Sequence, residues 1–443
     1  MKKTWFNDLL GKMFTLLIPL ILINSLNVLT YIINSIWVGR LIGETGVATI
    51  INCYSITIML TAIIVGIASA VSVLIAQSYG VGNEKGINEV INFGYLISVI
   101  VGIVTFAIVI FFSPLFMNIL GTPESIYADV RIYLSLYSFA FIFNLLLNVM
   151  SESVRALGDT KTPLLFVGIE TVINIILVPI FILGGFGIAG VGCANVLAKI
   201  FTCIIVRIII YKKYPVLRLD LENFNFRFDV LKKIIYVSVP IMVEQLIIAA
   251  VISLETGISN RAGVLGSAAY GVVAKWEQVF LVLSQSLQAL ITIMIGQNIT
   301  KKSMENVYRI VICGIVLAVL PITVIAIISY VKPEFFCKLF INSDDVITAS
   351  MEYLSIVGIA YILMPMRLIF NGFIIGTAHT RYLLFSSTTA SVGEVIVMYI
   401  LKNGSSLESM TILGLSVLTY VLLDIFFCFL FFVRGSWKKN FDV

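Results

Sequence analysis

Apolar runs of roughly 20 residues recur along the whole chain, long enough to cross ~30 Å of hydrocarbon as helices. Charged residues or clusters of Gly, Pro and Asn separate them. Lipid favours helices because each backbone group must find its partner within the segment. The pattern predicts twelve spans, at about 13–38, 47–79, 87–112, 128–153, 163–184, 187–211, 234–258, 264–296, 307–331, 346–375, 382–401 and 409–433. The shortest connection is Gly184–Gly190, GGFGIAG, a tight turn between the fifth and sixth spans. The longest is Tyr211–Lys233.

That long connection separates two copies of one unit. Pro19–Arg40 reads PLILINSLNVLTYIINSIWVGR and Pro240–Arg261 reads PIMVEQLIIAAVISLETGISNR, an offset of 221 residues that also sets Asn34 opposite Glu255. Gln77 in IAQSYG answers Gln297 in IGQNIT at an offset of 220, and Gly158 in RALGDTKT answers Gly376 in FIIGTAHT at 218. Landmarks in one order at near-constant spacing mark a tandem duplication. The expected fold is an all-α membrane protein of twelve transmembrane helices in two six-helix lobes. Residues 1–212 form the first lobe, 213–233 a cytoplasmic linker and 234–443 the second lobe.

Composition agrees. Only 12% of the 443 residues are charged and 60% are hydrophobic, with a mean hydropathy of +1.06. A soluble protein carries about a quarter charged residues. Nineteen lysines and arginines fall on one side of the spans, among them Lys212, Lys213, Lys232, Lys233, Lys301, Lys302 and those near the termini. Six fall on the other: Arg40, Arg131, Arg261, Lys332, Lys338 and Lys402. The excess places both termini and the linker in the cytoplasm and implies an even number of spans per half, hence parallel repeats. The net charge of +5 sits in loops and is not a nucleic-acid signature. The apolar stretch from Met13 to Val38 is too long for a signal-peptide core. The six cysteines show no C-x-x-C or metal spacing and read as small buried hydrophobes.

Ionisable groups inside a span point to function by default. Glu255 either titrates or binds a cation, or it is an outer-leaflet glutamate near Arg261. Glu244 and Gln245 follow Pro240, which frees a backbone carbonyl. Lys275 and Glu277 lie at comparable depth in the next span. A Glu244–Lys275 pair would leave Glu277 as the titratable carboxylate, or would simply hold the lobe together. Gln278, Gln285 and Gln288 add a polar line. In the first lobe Asn34, Asn174, Glu170 and Lys199 are deep, and Glu170 and Lys199 can neutralise each other. Glu394 and Asp424 read as isolated carboxylates, coupling sites or protonated packing residues. Arg367 and Asn371 read as helix-packing groups. The single histidine, His379, sits in a cytoplasmic loop, with no catalytic or metal-binding role expected.

The sequence NSIWVGRLIG ending the proline-led first span, AQSYGVGN after the second, RALGDTKTP between the fourth and fifth, NIILVPIFILGGFGIAGVGCA, IMIGQN and GTAHT follow one another in order. Together they resemble the multidrug and toxic compound extrusion (MATE) family over nearly the whole chain. The resemblance implies two six-helix lobes around a central cleft lined by helices 1, 2, 7 and 8. It implies export of organic cations or amphipathic compounds in exchange for Na⁺ or H⁺, with no other cofactor, by a monomer. It makes Asn34, Asn174, Glu255 and Glu277 cavity positions. Many bacterial members carry aspartate where this chain has Asn34, and read NIILDP where Val178 stands in NIILVP. Neither asparagine nor valine titrates. Coupling is therefore expected in the second lobe, on Glu244, Glu255 or Glu277, with any Na⁺ held there. Asn34, Asn174, Gln245, Lys275, Gln278 and Gln285 are the expected substrate contacts. A flippase for a lipid-linked substrate is the alternative, although its pyrophosphate would call for a cationic cavity and only Lys199, Lys275 and Arg367 lie deep. A membrane-embedded enzyme is remote, since no H-E-x-x-H, paired-aspartate or serine–histidine arrangement sits in the spans.

Overall fold

The computed structural model describes residues 2–119, 121–219, 226–299, 304–331, 333–338, 341, 343–404 and 407–439. Lys301, Lys302, Lys332 and residues 220–225 of the linker lie outside the described residues. The first repeat contains α1 (Lys2–Leu41), α2 (Glu44–Gly80), α3 (Glu84–Ile119), α4 (Tyr127–Ala156), α5 (Lys161–Phe181) and α6 (Gly187–Lys213). The second contains α7 (Phe228–Arg261), α8 (Gly263–Ile299), α9 (Met304–Val331), a short α10 (Pro333–Lys338), α11 (Asp344–Gly376), α12 (Thr380–Gly404) and α13 (Ser409–Arg434).

Apart from α10, these helices match the twelve expected spans one for one. The turn expected at Gly184–Gly190 is present: the backbone leaves helical geometry at Gly185, between α5 and α6, and the two helices pack against each other. Gly185 (φ 85°) and Gly187 (φ 53°) occupy left-handed backbone there, which side chains with a Cβ rarely enter. Large apolar side chains point outward all along the spans, among them Phe111, Leu320, Leu183 and Tyr399. Such a surface suits lipid, and the chain is a multi-pass membrane protein.

By contacts the chain groups into two compact units, residues 22–242, and residues 1–21 together with 243–443. Both breaks fall just past a proline inside a helix, Pro19 in α1 and Pro240 in α7. Each proline removes one ladder hydrogen bond and leaves the carbonyl four residues back free to bend away. Hence α1 and α7 contribute to both units, whereas the sequence division at 212 and 234 follows the repeat. In the first unit α4 packs against α2, α3 and α6. In the other, α11 lies along α8 at close range. A Cβ on Gly372 would come within 2.5 Å of the Gln288 carbonyl oxygen, and one on Gly376 within 2.8 Å of that of Thr292. Thr292 Oγ1 also donates to the Gly372 carbonyl at 3.1 Å. This small-xxx-small face lets two backbones touch where lipid supplies no hydrophobic drive.

The helix ends correct one alignment. After α4 the chain turns through Gly158 at φ 90°, and after α11 through Ala378 at φ 59°. The left-handed positions therefore correspond at an offset of 220, as Gln77 and Gln297 do, and not at the 218 given by Gly158 and Gly376. An L-residue held there is disfavoured by about 1–2 kcal/mol. Part of that is offset because glycine loosens the unfolded chain by about 0.4–1 kcal/mol. Ala378→Gly is expected to raise stability by about 0.5–1 kcal/mol, and Gly158→Ala to lower it, in thermal unfolding of the detergent-purified protein.

Beyond Gly158, Asp159 fastens the start of α5 to the end of α6. Its Oδ1 accepts from the Lys161 and Thr162 amides at 2.9 and 3.0 Å. Its Oδ2 accepts from Thr162 Oγ1 at 2.8 Å, Lys213 Nζ at 2.9 Å and the Tyr214 hydroxyl. Partial burial works against the charge, but these donors, Tyr214 foremost, hold the carboxyl well below the usual carboxylate range.

Candidate functional site

The 220-residue register carries into α5 and α12, where Asn174 of TVINIILVPI stands opposite Glu394 of SVGEVIVMYI. With Asn34 opposite Glu255, each repeat presents one pair of polar side chains from equivalent helices. The structure brings both pairs together. In the first repeat Asn34 Nδ2 donates to Asn174 Oδ1 at 2.8 Å. Thr30 and Thr171 hydroxyls meet at 3.0 Å on the same two helices. Val178 is fully buried and adds no polar atom.

In the second repeat the same positions hold two carboxyls. Glu255 of α7 and Glu394 of α12 lie within hydrogen-bonding reach of each other. Glu255 is 9% exposed and Glu394 2%, so the reading of Glu255 as a surface glutamate does not hold. The Tyr270 hydroxyl of α8 donates to Glu255 Oε2 at 2.9 Å. Glu394 Oε1 is buried without a hydrogen-bond partner. Glu277 of α8 lies near enough to feel the Glu255 charge, with Tyr361 of α11 close to it. Two buried carboxylates in contact repel strongly, since the interior screens poorly. The pair is comfortable only with a proton between its oxygens or a small cation against them. Such a pair can hold one positive charge.

Glu244 lies deeper along α7. It accepts from Gln245 Nε2 at 2.8 Å and from Ser387 Oγ at 3.4 Å, in the electrostatic range of Arg367 and Asp424. Lys275, its expected partner, is exposed on α8. Gln278 and Gln285 are also exposed on that helix. Arg367 of α11 and Asp424 of α13 form a buried ion pair at 2.7 Å, and the guanidinium also donates to the Tyr420 hydroxyl. Asp424 is thus not isolated. In the first repeat Lys199 pairs with Glu170 at 2.6 Å, as expected, and donates to Asn144 Oδ1 at 3.1 Å. Inspection of single spans reads Glu394 as an isolated carboxylate, a coupling site or a packing residue, and carrying the repeat register past Asn174 sets it opposite that asparagine.

A family model, MatE, matches residues 19–180 and 240–400, one stretch in each repeat. The chain belongs to the MatE family. It is accordingly a membrane transporter and not an enzyme. MatE relatives include a probable multidrug resistance protein, YoeA, of Bacillus subtilis, 26% identical over 401 residues that cover 88% of this chain and 87% of the relative. Another is the probable multidrug resistance protein NorM of Thermotoga maritima, 21% identical, covering 85% and 82%. Among solved structures, the fold matches a point mutant of the MATE transporter VcmN of Vibrio cholerae, with a TM-score of 0.92 at 18% identity over 99% of both chains. It also matches a MOP-superfamily transporter from Pyrococcus furiosus with a TM-score of 0.84 at 19% identity, covering 98% and 97%. These likenesses support the twelve-helix MATE architecture.

Proposed function

We propose that this MatE protein is a secondary active antiporter of the cell membrane that exports organic cations or amphipathic compounds, driven by inward movement of H⁺. The observation that carries this reading is the buried Glu255–Glu394 contact, with Tyr270 donating to it. A carboxyl pair able to share a proton is a one-charge store in the repeat that kept its acids. Antiport requires the ion and the substrate to favour different conformations. Alternating access then couples them, the protonated pair favouring one state and substrate the other. Glu277 and Glu244 are proposed to sense that charge, while Asn34, Asn174, Gln245, Lys275, Gln278 and Gln285 are proposed to contact substrate. Both termini are proposed to be cytoplasmic and the protein to work as a monomer. The relatives' names as multidrug resistance proteins support a drug-like substrate class.

One observation favours Na⁺ as the second reading. Glu394 Oε1 is a buried acceptor without a donor, which a cation would satisfy. A flippase for a pyrophosphate-linked lipid is disfavoured because the deep cations Lys199 and Arg367 are each engaged by a carboxylate. The experiment is efflux of a fluorescent organic cation from proteoliposomes under a pH gradient alone and a Na⁺ gradient alone. Uphill movement with the pH gradient is the expected result. Movement only with Na⁺ selects the second reading, and movement with neither rejects antiport.

A further inference from the structure

Just beyond the carboxyl pair, towards the ends of α7 and α12, lies a cavity of about 270 Å³ lined by Ser253, Leu254, Gly257, Ile258 and Arg261 of α7 and Val395, Met398, Tyr399 and Lys402 of α12. Two of the six cations on the sparsely basic side of the protein converge on it. Among the described residues no acidic side chain lines it. Among the described residues neither Arg261 nor Lys402 forms an ion pair, whereas Lys338 on the same side is matched by Glu334 at 2.5 Å. Apart from Ser253 and the Tyr399 hydroxyl the other walls are apolar, and Leu254 and Tyr399 stand half or more exposed at 50% and 69%. A Cβ on Gly257 would meet nothing within 4 Å, so the glycine leaves room there.

We infer that this cavity is a binding site for an anionic phospholipid, with the phosphate between Arg261 and Lys402 and acyl chain against Leu254, Val395 and Tyr399. Three features point to lipid as the occupant. Two cations without an ion pair on one cavity can hold an anion between them. The outward-facing Leu254 and Tyr399, with Ile396 and Ile400 exposed beside them, continue the lipid-solvated surface. Tyrosine and basic side chains at helix ends are the groups that settle at the headgroup level. A lipid held there would bridge the outer ends of the two helices that carry Glu255 and Glu394. The orientation proposed above assigns it to the outer leaflet, but binding itself does not depend on that orientation or on antiport.

The test uses purified full-length protein in a neutral detergent, titrated separately with short-chain phosphatidylglycerol, short-chain phosphatidylcholine and inorganic phosphate. Binding is read by native mass spectrometry and thermal shift. Phosphatidylglycerol is expected to bind in preference to phosphatidylcholine. Each of Arg261→Gln and Lys402→Gln is expected to weaken it roughly fivefold, and the double variant roughly 30-fold, from the worth of one basic residue near a lipid phosphate. Both side chains are exposed, so these variants should fold. Gly257→Leu should block the site with both charges in place. Equal binding of the two lipids, or wild-type affinity in the double variant, would overturn the assignment. So would inorganic phosphate giving the full thermal shift, which would make the site one for a free anion.

Discussion

Glu255→Gln is expected to abolish gradient-driven efflux while leaving the protein folded. A pH difference of one unit is worth about 1.4 kcal/mol per proton, which sustains about tenfold substrate accumulation for each proton exchanged. A glutamine keeps the size of Glu255 and can still bond to Tyr270 and Glu394, but it cannot release a proton. A gradient shifts a conformational equilibrium only through a group whose binding differs between the states. Accumulation in reconstituted vesicles should therefore fall from about tenfold per pH unit to none, with downhill exchange retained. Glu394→Gln should give the same loss, because the charge belongs to the pair. Efflux of a fluorescent cation, followed with and without the pH gradient, checks both.

Breaking the Arg367–Asp424 pair should have the largest effect on stability. The Asp424 side chain is fully buried and that of Arg367 8% exposed, with Nε and Oδ2 2.7 Å apart. The guanidinium also lies 4.6 Å from the centroid of the Tyr420 ring. Asp424→Leu leaves a buried cation without its counter-charge, which costs about 3–5 kcal/mol in comparable sites. The double change Arg367→Met with Asp424→Leu removes both charges and should recover most of the loss. Thermal unfolding of the four proteins in detergent forms a double-mutant cycle that isolates the pair. The single variant Asp424→Leu is expected to be the least stable of the four.

Most of the architecture was legible in the sequence because its cause is local. A segment that must satisfy its own backbone in lipid shows as an apolar run, and the repeated prolines, Pro19 and Pro240, mark equivalent helices. The tight α5–α6 turn followed from its glycines. The short α10 was missed because its six residues are too few to show a period. The alignment at Gly158 and Gly376 slipped by two residues because the second copy places Ala378, not glycine, at the left-handed position. The 218 offset conceals that Glu394 stands opposite Asn174, which leaves Glu394 reading as an isolated carboxylate. Depth along a single span cannot say which helix a carboxylate faces, so the sequence offers Lys275 as a partner for Glu244 and none for Asp424. Their partners, Ser387 and Arg367, come from helices far away in the chain. The Glu170–Lys199 pair was found because neighbouring spans in sequence also pack together.

The amide pair Asn34–Asn174 and the carboxyl pair Glu255–Glu394 make the decisive comparison. Proteoliposomes carrying wild type, Asn34→Leu with Asn174→Leu, or Glu255→Gln with Glu394→Gln can be loaded with substrate and a pH dye, and proton flux driven by the substrate gradient recorded. Substrate-driven proton movement that persists in the leucine variant and vanishes in the glutamine variant is the expected result. Proton movement that survives loss of both glutamates, or depends on the asparagines instead, would contradict coupling through the second repeat.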